Sequence, residues 1–108
     1  MSLDIKLECK YCGTAFFEAN VTHNLNSMAE LAGLYGPIWQ PDENGIETAA
    51  DLIGPLEGGI AEMKANPERF RELNPENGWG SYDDFVPWLE RLLEACREHF
   101  GAKVRSCR

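Results

Sequence analysis

Between Lys10 and Lys64 the chain has no lysine or arginine, while Glu18, Glu30, Asp42, Glu43, Glu47, Asp51, Glu57 and Glu62 fall in that interval. With a net charge of -8, such a middle repels phosphate backbones and disfavours direct binding of nucleic acid. Long apolar runs are also missing. None approaches the ~20 residues that a membrane span needs. The opening MSLDIKLECK contains no uninterrupted apolar stretch, so it does not read as a secretory signal. A cytoplasmic location is expected, where Cys9, Cys12, Cys96 and Cys107 stay reduced and open to metal. Histidine is scarce, with two in the chain, and neither has a nucleophile placed to form a triad. Ser27 and Ser81 lack the nucleophile-elbow pattern, and no phosphate-binding glycine loop or dinucleotide fingerprint occurs.

The 108 residues that remain to be explained suit one domain, 1–108, able to bury roughly two-thirds of its unfolded surface. Ile5 and Leu7 alternate with Lys6 and Glu8, and Phe16, Phe17 and Val21 follow a glycine turn, as in a hairpin. Ser27 and Glu30 have the form of a capping box. It would open a helix with Met28, Leu31, Ala32 and Tyr35 on one face, stopped by Gly36 and Pro37. Trp39 then sits on a turn-rich loop. A second helix opens at Thr48 with Asp51 as its box partner and a stripe of Ala49, Leu52, Ile53, Leu56, Ile60 and Met63. Pro55 and Gly58-Gly59 predict that it bends or splits. Asn66-Pro67 restarts a short helix through Leu73. The last helix is capped by Ser81 with Asp84, and its stripe is Phe85, Trp88, Leu89, Leu92, Cys96 and Phe100. AKVRSC, after Gly101, alternates as an edge strand does. Two strands at the start and one at the end are too few to stand apart. The expected fold is α+β: a small antiparallel sheet from an N-terminal hairpin and the C-terminal strand, covered by three or four helices.

Three constellations bear chemistry. CKYCG is a knuckle between strands that aims two thiols at one point, half of a tetrahedral zinc site. If the sheet brings the chain ends together, Cys9, Cys12 and Cys107 with Cys96 or His99 form a structural zinc site; otherwise the cysteines are unrelated and Cys96 fills the helix stripe. A redox role fits less well, because a thioredoxin-like pair opens a helix. His23, Asn24 and Asn26 cluster at a strand-to-helix junction, where they bind a polar ligand or serve as local caps. Trp39, Trp79 and Tyr82 form an aromatic wall beside them or pack as satellite core.

ANVTHNLNSMAELAGLYGPIWQP and LNPENGWGSYDDFVPWLERLLEACREHFGAKVRS resemble a family of small bacterial and bacteriophage (prophage) proteins of unassigned function. The resemblance spans residues 18 to 106, with NPENGWGSYDDF its most specific block, and leaves the cysteine pair outside. It implies no catalytic residue, and it implies the setting of accessory proteins in mobile elements, which often bind and inhibit something. The expected function is therefore a non-enzymatic binding or accessory protein. It would hold a small polar ligand between residues 23–27 and 77–82. The alternative is an acidic module docking on a basic protein through residues 30–62, and a hydrolase using zinc-bound water ranks third.

Overall fold

A computed structural model describes residues 2–76, 78 and 80–107. Three antiparallel strands, β1 (Ser2–Glu8), β2 (Ala15–Thr22) and β3 (Lys103–Cys107), form one sheet in the order β2-β1-β3. The alternation in β1 sorts its two faces. Leu3, Ile5 and Leu7 are fully buried beside Val21 and Val104, while the opposite face is held by Lys6–Glu18 (3.4 Å), Glu8–Arg105 (3.0 Å) and Asn20–Asp4 (2.7 Å). β1 is the central strand, and the fold is α+β, with a sheet of the N-terminal hairpin and the C-terminal strand, as the sequence predicts.

Among the described residues five α-helices cover the apolar face: α1 (Asn26–Leu31), α2 (Tyr35–Trp39), α3 (Ala49–Ala65), α4 (Pro67–Arg71) and α5 (Tyr82–Glu98). The two long ones run antiparallel, as the cross-helix pairs Glu57–Arg97 (3.2 Å) and Lys64–Glu90 (2.7 Å) require. Exposed pairs of this kind are worth about 0–1 kcal/mol each, so the packing of the apolar stripes must hold the helices together. Leu52, Leu56, Met63, Phe85, Leu89 and Leu92 supply it, all with no exposed surface.

The capping signals at Thr48/Asp51 and Ser81/Asp84 are realised. Asp51 accepts from the backbone N–H groups of Glu47 and Thr48, and Ser81 Oγ accepts from Asp84 N–H. Those contacts with the Thr48 and Glu47 amides hold the Asp51 carboxyl below its ordinary range. The head of α3 is further satisfied from the other end of the chain. Ala49 and Ala50 donate to the carbonyls of Ala102 and Phe100, and Val104 donates to Glu47. Two of the four donors that a helix start leaves open are thus taken up by carbonyls just before β3.

Three local expectations are corrected. Thr22, not Ser27, caps the first helical segment: its hydroxyl accepts from Asn24 N–H at 3.3 Å over a 3-10 turn, His23–Leu25, that feeds directly into α1 and leaves Ser27 inside the helix. Gly36 and Pro37 do not end that helix; Gly33, at φ +75°, does, and Pro37 sits in the first turn of α2, where its missing N–H costs nothing. Pro55 and the glycine pair do not split α3, which runs as one helix of 17 residues.

The two neighbouring glycines of α3 have different roles. A Cβ on Gly59 would stand 2.6 Å from the side chain of Leu34, which is fully buried, whereas no atom lies within 4 Å of a Cβ on Gly58. Gly58→Ala should therefore raise the unfolding free energy by about 0.5–1 kcal/mol. Gly59→Ala gains the same helix propensity but overpacks the Leu34 contact, at a cost of about 1–3 kcal/mol. The urea midpoints of the two variants should move in opposite directions, and equal shifts would mean that α3 does not pass Leu34 this closely.

Candidate binding cleft

Of the side chains expected to line a polar and aromatic pocket, Trp39 and Tyr82 are buried in the fold. Trp39 is buried within α2, stacks on Tyr35 (5.6 Å, 10°) and donates its indole N–H to His23 Nδ1 at 3.0 Å. That bond makes Nδ1 an acceptor and leaves the proton of the neutral ring on Nε2. Tyr82 is buried too. Its hydroxyl donates to the Met63 carbonyl (2.8 Å), its backbone N–H to Asn74 Oδ1 (2.8 Å), and the Arg71 guanidinium lies 4.9 Å above its ring. Asn24 and Asn26 are exposed, and Asn26 Oδ1 accepts from Ser27 Oγ at 3.4 Å. Trp79 lies outside the described residues. Trp39 and Tyr82 are thus part of the hydrophobic core, each with its polar atom satisfied.

The cysteines are placed as follows. β1 and β3 do pair, but antiparallel pairing sets Lys103 beside Glu8 and sends Cys107 back to Asp4. Cys107 is therefore five strand positions from Cys9, about 16 Å at the rise of an extended chain. Cys96 is sealed in the core, and burial pushes its thiol up to about 12, the reverse of what a metal ligand needs. The His99 ring stacks on Phe16 (4.8 Å, 8°). Among the described residues no three His, Cys, Asp or Glu side chains gather as a metal cage. Only Cys9 and Cys12 of the expected ligand set come together, because the direction of β3 carries the remaining thiol away from the knuckle.

A cleft of about 320 Å³ does open where the 22–25 turn meets the 80–84 segment, the region expected from sequence but lined by other side chains. One bank is the end of β2, Asn20 to Thr22; the other is α5, with Asp84, Pro87, Trp88 and Arg91. Gly80, at φ +94°, permits this closeness, since a Cβ there would stand 2.8 Å from Thr22 Cγ2. Trp88 is 7% exposed, and its Nε1 is the one buried side-chain nitrogen or oxygen without a partner among the described residues. Buried indole N–H groups normally find an acceptor. Along the same side runs the outer edge of β2, which pairs with no strand among the described residues. β2, AFFEANVT, has neither the lysine nor the proline that commonly blunts an edge. Trp88 was legible as core and not as a cleft residue. Its signal was an indole in an all-apolar stripe, with no acceptor in sight.

Comparison with family models, with curated proteins and with solved structures finds no match to this chain.

Proposed function

We propose that the protein is a non-catalytic binding module that takes an extended segment of a partner polypeptide along the free edge of β2, with α5 as the second wall. The observation that carries this reading is the backbone edge of β2, unpaired among the described residues, beside a cleft bordered by Trp88 and Arg91 of α5. A strand added to an edge supplies carbonyl acceptors along its length, and its alternate side chains enter the neighbouring groove. A small ligand, by contrast, is usually enclosed over most of its surface, and this cleft lies open along β2. Asp84 and Arg91, seven residues apart on α5, both border it. Two turns of helix rise ~10 Å, the reach of three residues of extended chain at ~3.3 Å each. Because only alternate side chains of a strand share a face, the preferred segment carries a basic and an acidic side chain two or four positions apart.

The acidic middle of the chain supports docking less well. Asp51 is engaged at the head of α3, Glu57 pairs with Arg97, and Glu62 accepts from Asn66. The resemblance to accessory proteins of mobile elements agrees with a binding role without fixing a partner.

Peptides selected from a displayed random library against the full chain supply the probe. Their binding should shift the backbone amide resonances of residues 17–22 and the Trp88 indole N–H, and Arg91→Glu should weaken it about tenfold or more. Peptides that shift only residues 30–62, with affinity falling steeply as salt rises, would replace this reading by acidic-face docking. Perturbation by small polar solutes alone would restore the small-ligand reading.

A further inference from the structure

The knuckle between β1 and β2 presents two thiols at the surface. Cys9 N–H donates to the Thr14 carbonyl (2.8 Å), Gly13 N–H donates back to the Cys9 carbonyl (3.0 Å), and Gly13 takes the left-handed conformation, φ +74°, that the tight return needs. This turn carries Cys9 at its start and Cys12 just before Gly13, and both are free thiols, Cys12 exposed. We propose that Cys9 and Cys12 form half of a zinc site completed by the same two residues of a second copy of this chain.

Structural zinc takes four ligands in a closed tetrahedron. This chain offers two at the knuckle. Its other thiols are sealed in the core or opposite Asp4, and no third His, Cys, Asp or Glu joins the pair among the described residues. A two-fold axis through the metal repeats the pair and completes four thiolates with one ion, the self-complementary arrangement that symmetric dimers use. The surroundings favour a second copy over bulk water. Tyr11, at the tip of the turn, is 94% exposed, and Phe16 and Phe100 are exposed at the same end of the sheet, where Phe16 meets His99. These are three of the four large apolar side chains that the described residues leave in water. Charge agrees. Four thiolates and Zn²⁺ leave two negative charges in excess, and each copy brings Lys10 within the turn and Lys103 opposite Glu8. In a strongly acidic chain the tip CKYCG carries a cation and no carboxylate, so two copies meet there with the least repulsion. The ligand set differs from one drawn within a single chain, and it stands or falls apart from the β2 cleft, which lies toward the opposite end of β2.

Native mass spectrometry and sedimentation of the full reduced chain, with and without added Zn²⁺, test the site. The expected result is a dimer holding one zinc per two chains, returned to monomer by a chelator. Cobalt(II) in its place should give the absorption of a tetrahedral four-thiolate centre. Cys9→Ser or Cys12→Ser should abolish both metal and dimer, and Cys107→Ser should change neither. One zinc per monomer, no zinc uptake, or a dimer that persists in Cys12→Ser or under chelation would each overturn the proposal.

Discussion

Replacing Phe85 with alanine should lower the unfolding free energy by about 3–5 kcal/mol, the range for deleting a buried aromatic ring. Phe85 has no exposed surface and stacks on Trp88 at 6.0 Å, at the point where α5 enters the core beneath the sheet. Domains of this size are stable by about 5–15 kcal/mol, so the loss is about a fifth of the total at the least. Phe100→Ala is the natural control. Phe100 belongs to the same stripe by spacing, yet it lies beyond the end of α5 and is 64% exposed. Its truncation should stay within about 0.5 kcal/mol of the parent. Urea unfolding of the pair reads the difference directly. Comparable losses in both would mean that α5 continues past Glu98 and carries Phe100 into the core.

Thiol alkylation of the metal-free protein should separate the cysteines by a much wider margin. The Thr14 hydroxyl, 3.3 Å from Cys12 Sγ, and the Cys9 thiol favour the thiolate and lower Cys12 from 9.0 to about 7. A lowered value means that the charged, nucleophilic form is present above about pH 7 and is lost below it. At pH 7 about half of Cys12 is thiolate, against about one part in a hundred for an unshifted thiol. The weaker nucleophilicity of an acidic thiolate returns about tenfold of that gain, leaving an advantage of several-fold. Cys96 differs far more. Its thiol, pushed up to about 12 and fully buried, reacts only when the domain opens. With unfolded fractions of about 10⁻³ or less, Cys12 should be modified at least about a thousand times faster. Iodoacetamide labelling followed by peptide mass spectrometry checks both statements, and Thr14→Val should move the rise in Cys12 labelling to higher pH. Rapid labelling of Cys96 in the folded protein would place its stripe at the surface.

Features set by near neighbours in the chain were readable from the sequence. The caps at Thr48 and Ser81 rest on residues three apart, the alternation in β1 sorts its faces without outside help, and three short strands demanded a single sheet. What escaped depended on direction and packing. Nothing local says that β3 runs away from the knuckle, so Cys107 looked like a partner for Cys9 and Cys12 when it belongs beside Asp4. Ser27 and Glu30 have the spacing of a cap, but Thr22 lies at the true turn out of β2 and takes the role. Trp39 and Tyr82 read as pocket walls because each neighbours polar residues. Their polar atoms are instead satisfied inward, by His23 and the Met63 carbonyl. The cleft arises because α5 passes beneath the end of β2, a tertiary fact that brings Thr22, Trp88 and Arg91 together from distant parts of the chain.

The last lacing of the sheet also governs when the protein can assemble. β1 is made first, yet one of its two flanks stays bare until residues 103–107 have left the ribosome, and the same segment secures the head of α3. Until then the sheet of the nascent chain is a two-stranded hairpin, marginal in water by itself, and Leu3, Ile5 and Leu7 wait for the helices that follow β2 to cover them. Contacts spanning nearly the whole polypeptide form slowly, so production of this protein should be sensitive to holding chaperones and to any pause in translation before β3.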